Sequence, residues 1–188
     1  VKSYFAAREV SVAKDGDGHN RLTLNGKPVF HFGPLDQGFW PDGLYTAPTL
    51  EAMRFDIEAA KKMGCNMLRK HVKVEPELFY HECDRLGIMV WQDMPSAFFE
   101  TAPSEKDRGW DEDFPPLSDA WKANFEREWK EIVTDFGDHP SIVMWVPFNE
   151  GWGWFCFRFG LWVSPILGFG GSVQFGGGPR TTWIGRGA

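Results

Sequence analysis

The sequence predicts an α/β fold built on a parallel β-sheet. Segments with helical spacing of their apolar residues alternate with short apolar runs in the order β-α-β-α-β-α-β. The later runs are continuously apolar, as expected of strands covered on both faces. Hydrophobic residues make up 43% of the 188 residues, which is enough to form a core.

Three helices are predicted, each with its own start and stop signals. Thr49 and Ser118 are N-capping residue types, and Pro76 is expected at the first helical position. A glycine is expected to end each helix. The start and stop pairs are Thr49 with Gly64, Pro76 with Gly87, and Ser118 with Gly137.

The predicted strands of the sheet precede and separate these helices. Asn25-Gly26 predicts a two-residue hairpin turn between residues 22–24 and 29–32. The following strands are expected at residues 65–71, 88–91 and 142–146. Residues 1–12 alternate weakly and are consistent with the last strand of a preceding β-domain.

Polar side chains stand where these strands end, and the strand interiors are almost wholly apolar. The residues in question are Asp36, Arg69, His71, Asp93, Asn149 and Glu150. The carboxyl ends of parallel strands meet at one edge, where active sites of α/β barrels are built. A structural Arg69–Asp93 ion pair, a purely structural His71 and a loop-initiating Asn149-Glu150 remain alternative interpretations.

Composition excludes several other classes of function. The formal net charge of −6 and the absence of a basic patch argue against a nucleic-acid partner, and no apolar run predicts a membrane segment. Cys65, Cys83 and Cys156 are too few for a disulfide framework and are expected to be buried hydrophobic residues. No metal-ligand spacing is present, so neither metal nor cofactor is predicted.

The composition changes abruptly after Glu150. Residues 151–188 contain no acidic residue and no lysine, and they hold 11 of the 21 glycines. They show neither a helical period nor a capped element. We therefore expect an aberrant Gly/aromatic tail at 154–188, of the kind that a frameshift produces, although a genuine Gly/aromatic tail remains an alternative. It follows an α/β segment at 21–153 and the end of a preceding β-domain or linker at 1–20.

Several motifs, in this order and spacing, resemble the catalytic domain of glycoside hydrolase family 2, which β-galactosidases and β-glucuronidases share. They lie at residues 24–29 (LNGKPV), 65–71 (CNMLRKH), 84–91 (DRLGIMVW), 139–142 (HPSI) and 146–152 (VPFNEGW). The sequence departs from the β-galactosidase type at the second strand, in residues 69–76, which leaves the sugar open.

The resemblance implies the first four βα units, the N-terminal half, of a (β/α)8 TIM barrel, preceded by the remnant of a β-sandwich. It implies a retaining glycosidase acting on a carbohydrate substrate, with Glu150 as general acid/base. Asn149 would bind the sugar 2-hydroxyl, and Arg69, His71, Asp93, Trp91, Trp152 and Asp36 are the expected substrate-binding residues. The family's nucleophile follows the seventh strand. No acidic residue follows Glu150, so the 188-residue chain is expected to be inactive.

Three rival interpretations stay open at this stage. A non-catalytic carbohydrate-binding fragment would be all-β, and a metal-dependent barrel hydrolase would need a larger His/Asp cluster. The third is an inert half-domain. The compartment is unknown; a bacterial periplasmic or secreted location is compatible with a missing N-terminus.

Overall fold

The computed structural model describes residues 3–95, 118–147 and 149, and the backbone of residues 172–173. These residues form a three-stranded antiparallel sheet, a parallel sheet of five strands and three α-helices. The three helices exclude the all-β architecture expected of a carbohydrate-binding module. None of the described helices combines the length and apolar composition needed to cross a membrane.

The antiparallel sheet contains β1 (Val10–Lys14), β2 (Asn20–Leu24) and β3 (Lys27–Pro28). The predicted hairpin turn is confirmed, because Asn25 and Gly26 both have positive φ angles, of 52° and 73°. Its return strand lies at 27–28 rather than at the predicted 29–32. Residues 30–32 leave the hairpin because the Asn66 side chain bonds the Phe30 carbonyl and the Phe32 amide at 2.8 Å each.

The parallel sheet has the order β4-β5-β6-β7-β8. Its strands are β4 (Leu35–Asp36), β5 (Met67–Lys70), β6 (Met89–Asp93), β7 (Ile142–Val146) and β8 (Ser172–Val173). The bounds of β7 match the prediction, whereas the first strand lies at 35–36 rather than 29–32. Strand β8 lies in the segment where the sequence predicted no element, and it pairs with the edge of β7 through backbone bonds that need no particular side chain.

Helices α1 (Leu50–Lys62), α2 (Glu77–Leu86) and α3 (Asp119–Phe136) confirm the three predicted helices. The hydroxyls of Thr49 and Ser118 accept the backbone N–H of the third residue beyond them, as N-caps do. Pro76 is the N-cap of α2 rather than its first helical residue.

The helices pack on one face of the parallel sheet and form the core with it. Ile57 of α1, Cys83 of α2 and Trp129 of α3 are almost fully buried there, and Trp129 meets Trp145 edge-on at 5.8 Å. Cys83 is buried as predicted. Cys65 is partly buried against the core, and Cys156 lies outside the described residues.

The strand register and the alternation of side chains along each strand decide which residues lie on the same face of the parallel sheet. Leu35, Arg69, Trp91 and Met144 stand side by side in one row across the strands, and Asp36, Lys70, Gln92 and Trp145 form the next. Successive residues of a strand point to opposite faces. Trp145 belongs to the helix-packed core, so the second row faces the helices and the first row faces away from them.

Candidate active site

Arg69 and Asp93 form a two-point ion pair on the face of the sheet that points away from the helices. The Arg69 Nε and Nη2 atoms donate to the two carboxylate oxygens of Asp93, at 3.0 and 2.9 Å. The contact follows from register, because Arg69 is aligned with Trp91 and Asp93 lies two residues further along β6 on the same face. This geometry suits the planar guanidinium fork.

Asn149 joins this pair from the chain segment that follows β7. Its Oδ1 accepts a hydrogen bond of 3.0 Å from Arg69 Nη2, and the residue is buried. Three of the predicted site residues, Arg69, Asp93 and Asn149, therefore meet in one group, called here the Arg69 cluster. The next residue, Glu150, lies outside the described residues.

A strained backbone position completes the surroundings of Asp93. Val72 has a φ angle of 53°, which is unfavourable for a β-branched residue. In this conformation its backbone N–H donates to Asp93 Oδ2 at 3.3 Å. The loop after β5 thus supplies a donor to the same carboxylate that Arg69 holds.

Burial dominates the electrostatics of Asp93. It raises the pKa of this carboxyl group above its ordinary value, and the hydrogen bonds and charge of Arg69 oppose the shift only in part. The Val72 amide and the charge of the half-buried His71 act in the same direction as Arg69. His71 therefore lies near enough to the cluster to influence it.

Trp91 lies in the same row as Arg69 and contacts His31. The indole Nε1–H donates to His31 Nδ1 at 2.8 Å, so the proton of a neutral His31 is on Nε2. Burial lowers the pKa of His31, which favours that neutral form. No role was predicted for His31, since a lone histidine in a sequence does not indicate its partner. Trp152, the other tryptophan expected to bind the substrate, lies outside the described residues.

Asp36 is not part of the Arg69 cluster. It belongs to the helix-facing row, where its Oδ2 accepts from Lys70 Nζ at 3.0 Å and its Oδ1 accepts from the Gly38 amide at 2.9 Å. The two-residue strand β4 and its register with β5 set this direction. The expected role of Asp36 in substrate binding has no support from this position.

A group of buried charges on the helix-facing side was missed by the sequence reasoning. Lys70, Lys73 and Glu75 are each at most 6% exposed, and both ammonium groups lie on Glu75 Oε1, at 2.5 and 2.8 Å. Buried lysines are rare without such partners. The sequence does contain a signal for this group, because three charged residues fall within six positions between apolar strands and helices.

One group of side chains among the described residues has the proximity required of metal ligands. Asp15, Asp17 and His19 approach one another in the turn between β1 and β2, away from the Arg69 cluster. Asp15 already binds Arg21 at 2.7 Å and accepts the backbone N–H groups of Asp17 and His19. These contacts account for the turn itself.

The amino-acid sequence matches one protein family over most of its length. The family is described as glycosyl hydrolases family 2, TIM barrel domain, and the match covers residues 18–159. A putative beta-glucuronidase of Formosa agariphila is 31% identical over 133 residues, which are 70% of this chain and 14% of that protein. The beta-glucuronidase of Streptococcus agalactiae is 29% identical over 78% of this chain and 24% of its own length.

Solved structures share the fold. A GH2 beta-galacturonidase from Eisenbergiella tayi, bound to glycerol, superposes with a TM-score of 0.68 over 93% of this chain and 29% of its own, at 22% identity. The Parabacteroides merdae beta-glucuronidase gives 0.60 over 78% and 16%, at 23% identity. The chain therefore spans less than a third of the length of each of these relatives.

Proposed function

Because the chain belongs to the TIM barrel domain family of the family 2 glycosyl hydrolases, we propose that it contributes to the hydrolysis of a β-glycosidic bond with retention of configuration. Its relatives include, besides the glucuronidases, an exo-beta-D-glucosaminidase of Amycolatopsis orientalis and a beta-mannosidase of Rattus norvegicus. These names share the β-linkage and differ in the sugar, so the β-linkage is the part carried over to this chain.

The observation that supports the proposal is the Arg69 cluster at the carboxyl edge of the parallel sheet. Asn149 is tied there to Arg69, and Glu150 is the next residue of the chain. We propose that Glu150 acts at this same edge of the sheet. This is the edge at which barrel enzymes bind their substrates.

Glu150 is proposed as the general acid/base. In the first step it protonates the departing glycosidic oxygen while a second carboxylate attacks the anomeric carbon and forms a glycosyl–enzyme intermediate. In the second step the Glu150 carboxylate removes a proton from water, which attacks the anomeric carbon and releases the nucleophile. Both steps conserve the proton, because the one given to the leaving group is recovered from water.

The other predicted residues would hold the sugar. Among the described residues, the contact of Asn149 with Arg69 uses only its oxygen, and its side-chain amide N–H groups are proposed to donate to a 2-hydroxyl. Arg69 and Asp93, being locked together, would give the pocket a fixed polar wall. Trp91 and Trp152 are proposed as stacking surfaces for the apolar faces of the sugar, and His71 as a neighbouring polar contact.

The nucleophile is proposed to lie outside these 188 residues. Retention requires a second carboxylate about 5–5.5 Å from the first, and the sequence has no acidic residue after Glu150. Asp93 is already engaged by Arg69 and Val72, and Asp36 by Lys70. The 188-residue chain alone is therefore expected to be inactive.

The test uses a panel of aryl β-glycosides on two proteins: the 188-residue chain and the complete gene product that contains it. Turnover by the complete product, with the β-anomer as the first product seen by proton NMR, would support retention. An α-anomer as first product would contradict it. Turnover by the 188-residue chain that is lost on Glu150→Gln would refute the proposed location of the nucleophile.

A further inference from the structure

The loop that follows β4 is bound to the loop that follows β5 by a single buried ammonium group. Lys73 Nζ donates to the carbonyl oxygens of Gly38 and Tyr45, each at 2.8 Å. The same Nζ pairs with Glu75 and lies over the Tyr45 ring, 4.3 Å from its centroid. Lys73 thus closes both ends of the segment 38–45 onto the segment 71–76.

The backbone of Lys73 is fixed as firmly as its side chain. Gln92, which is fully buried, donates from Nε2 to the Lys73 carbonyl and to the Asp93 carbonyl, at 2.7 Å each. The Gln92 Oε1 accepts the Tyr80 hydroxyl at 2.6 Å, and that hydroxyl accepts the Glu75 amide at 3.1 Å. All four of these hydrogen bonds are buried and shielded from water.

The neighbour of Lys73 is Val72, whose amide reaches the Asp93 carboxylate. Val72 occupies a left-handed conformation that a valine does not adopt without constraint. The contacts of Lys73, the next residue, constrain Val72 from its carboxyl side. Strain of this kind persists only where the surrounding structure over-determines it.

We propose that Lys73 is a positioning residue, whose ammonium group clamps residues 38–45 against residues 71–76 and thereby holds the Val72 amide on the Asp93 carboxylate. It contacts none of the proposed substrate-binding side chains that the structure describes. Its significance for catalysis rests on the proposed function, whereas its effect on Val72 and Asp93 is independent of any activity.

Gly38 gives a second way to disturb the clamp without removing a charge. A methyl group at this position would lie 2.5 Å from Glu75 Oε1 and 2.7 Å from the ammonium groups of Lys70 and Lys73. Gly38 has a φ angle of 67°, and Gly26, with 73°, has nothing within 4 Å of the same methyl position. Gly26→Ala therefore matches the backbone strain of Gly38→Ala and lacks its clash.

The experiment compares Lys73→Met with Lys70→Met in the 188-residue chain. Lys70 is an equally buried ammonium on Glu75 that donates to neither loop carbonyl named above. Two readouts are measured by NMR: hydrogen exchange of the Val72 amide and the pH titration of the Asp93 carboxyl carbon. Lys73→Met should accelerate Val72 exchange by about tenfold or more and raise the pKa of Asp93, because a donor to the carboxylate is lost.

Lys70→Met should change Val72 exchange by less than about twofold. Equal effects of the two lysine variants, or no effect of either, would overturn the proposal. If Lys73→Met does not fold, Gly38→Ala against Gly26→Ala decides: a change at Val72 in the first variant alone supports the clamp, and the same result in both refutes it.

A separate arm asks whether the clamp matters for turnover. In the complete gene product, Lys73→Met should lower kcat/KM and shift the acidic limb of its pH profile, while Lys70→Met leaves the profile in place. An inactive wild-type product would reject the proposed function and leave the NMR result on Lys73 standing. An active product whose profile is the same in both lysine variants would reject the positioning role.

Discussion

Arg69 and Asp93 are joined by two hydrogen bonds across neighbouring strands, yet their side chains are buried to very different degrees. Arg69 is 25% exposed and Asp93 only 1%. Water can therefore replace part of what Arg69 loses if the pair is broken, but it cannot reach the Asp93 carboxylate. The two halves of this ion pair should respond unequally to substitution.

Arg69→Met is expected to destabilise the chain more than Asp93→Asn. The first variant leaves a buried carboxylate without its cation, which costs about 3–5 kcal/mol. The second leaves a partly hydrated guanidinium that still binds Asn149, and about 1 kcal/mol is expected. Urea unfolding at pH 7 measures the free energy of unfolding of both variants. A larger loss in Asp93→Asn would contradict the expectation that the more buried partner is the more costly one to leave unpaired.

The pKa of Asp93 predicts the sign of its contribution to stability. Burial raises this pKa in the folded chain, so the folded state binds a proton more readily than the unfolded state does. The stabilisation that results is complete below the ordinary pKa of an aspartate, about 3.9, and is lost as pH rises through the folded pKa.

The measurement is urea unfolding of the wild type and of Asp93→Asn across the acidic range. The free energy of unfolding of the wild type, relative to the variant, should fall as pH rises. A relative stability that increases with pH would mean that Arg69 outweighs burial and that the pKa is lowered.

Glu82 should show the opposite dependence. It is buried in α2 and accepts hydrogen bonds first from Arg54 and also from Arg85, which lower its pKa to about 2. The stabilisation is fully present above the ordinary glutamate pKa of about 4.3 and is lost as pH falls through the folded pKa of about 2. It amounts to the order of 1–3 kcal/mol, since the arginines are partly exposed.

Glu82→Gln should therefore remove part of the acid sensitivity of the chain. Glu126→Gln is the matched control, because Glu126 forms an exposed i,i+4 pair with Lys130 on α3. Acid unfolding followed by circular dichroism distinguishes them. Identical acid transitions in the two variants would contradict the role of the Arg54–Glu82 pair.

Gly33, which lies between β3 and β4, is expected to tolerate no side chain. A methyl group there would lie 1.7 Å from the Met67 carbonyl oxygen of β5, which is backbone and cannot move aside. Gly33→Ala should cost more than about 3 kcal/mol. Gly16→Ala, with nothing within 4 Å, should cost under about 1 kcal/mol, and similar thermal unfolding of the two would contradict this packing.

The elements that were predicted well from the sequence are those marked by more than one local signal. The capping hydroxyls of Thr49 and Ser118, the glycines after the helices and the long apolar run of β7 each coincide with a period in the pattern. The meeting of Arg69, Asp93 and Asn149 was predictable because parallel strands end together.

Two features were not predicted from the sequence: the direction of the Asp36 side chain and the contacts of Lys73. Strand β4 has only two residues, too few to show which face Asp36 takes, and its register with Lys70 decides the matter. The partners of Lys73 are backbone carbonyls 28 and 35 residues away, which no side-chain pattern encodes. The folded backbone alone brings these groups together.

The most direct test of the central proposal is the leaving-group dependence of Glu150→Gln in the complete gene product. A proton donor matters only when the departing oxygen needs a proton. The variant should therefore lose several orders of magnitude in kcat/KM on an alkyl or sugar β-glycoside and far less on a dinitrophenyl β-glycoside. Equal losses on both substrates would contradict the assignment of Glu150 as the general acid.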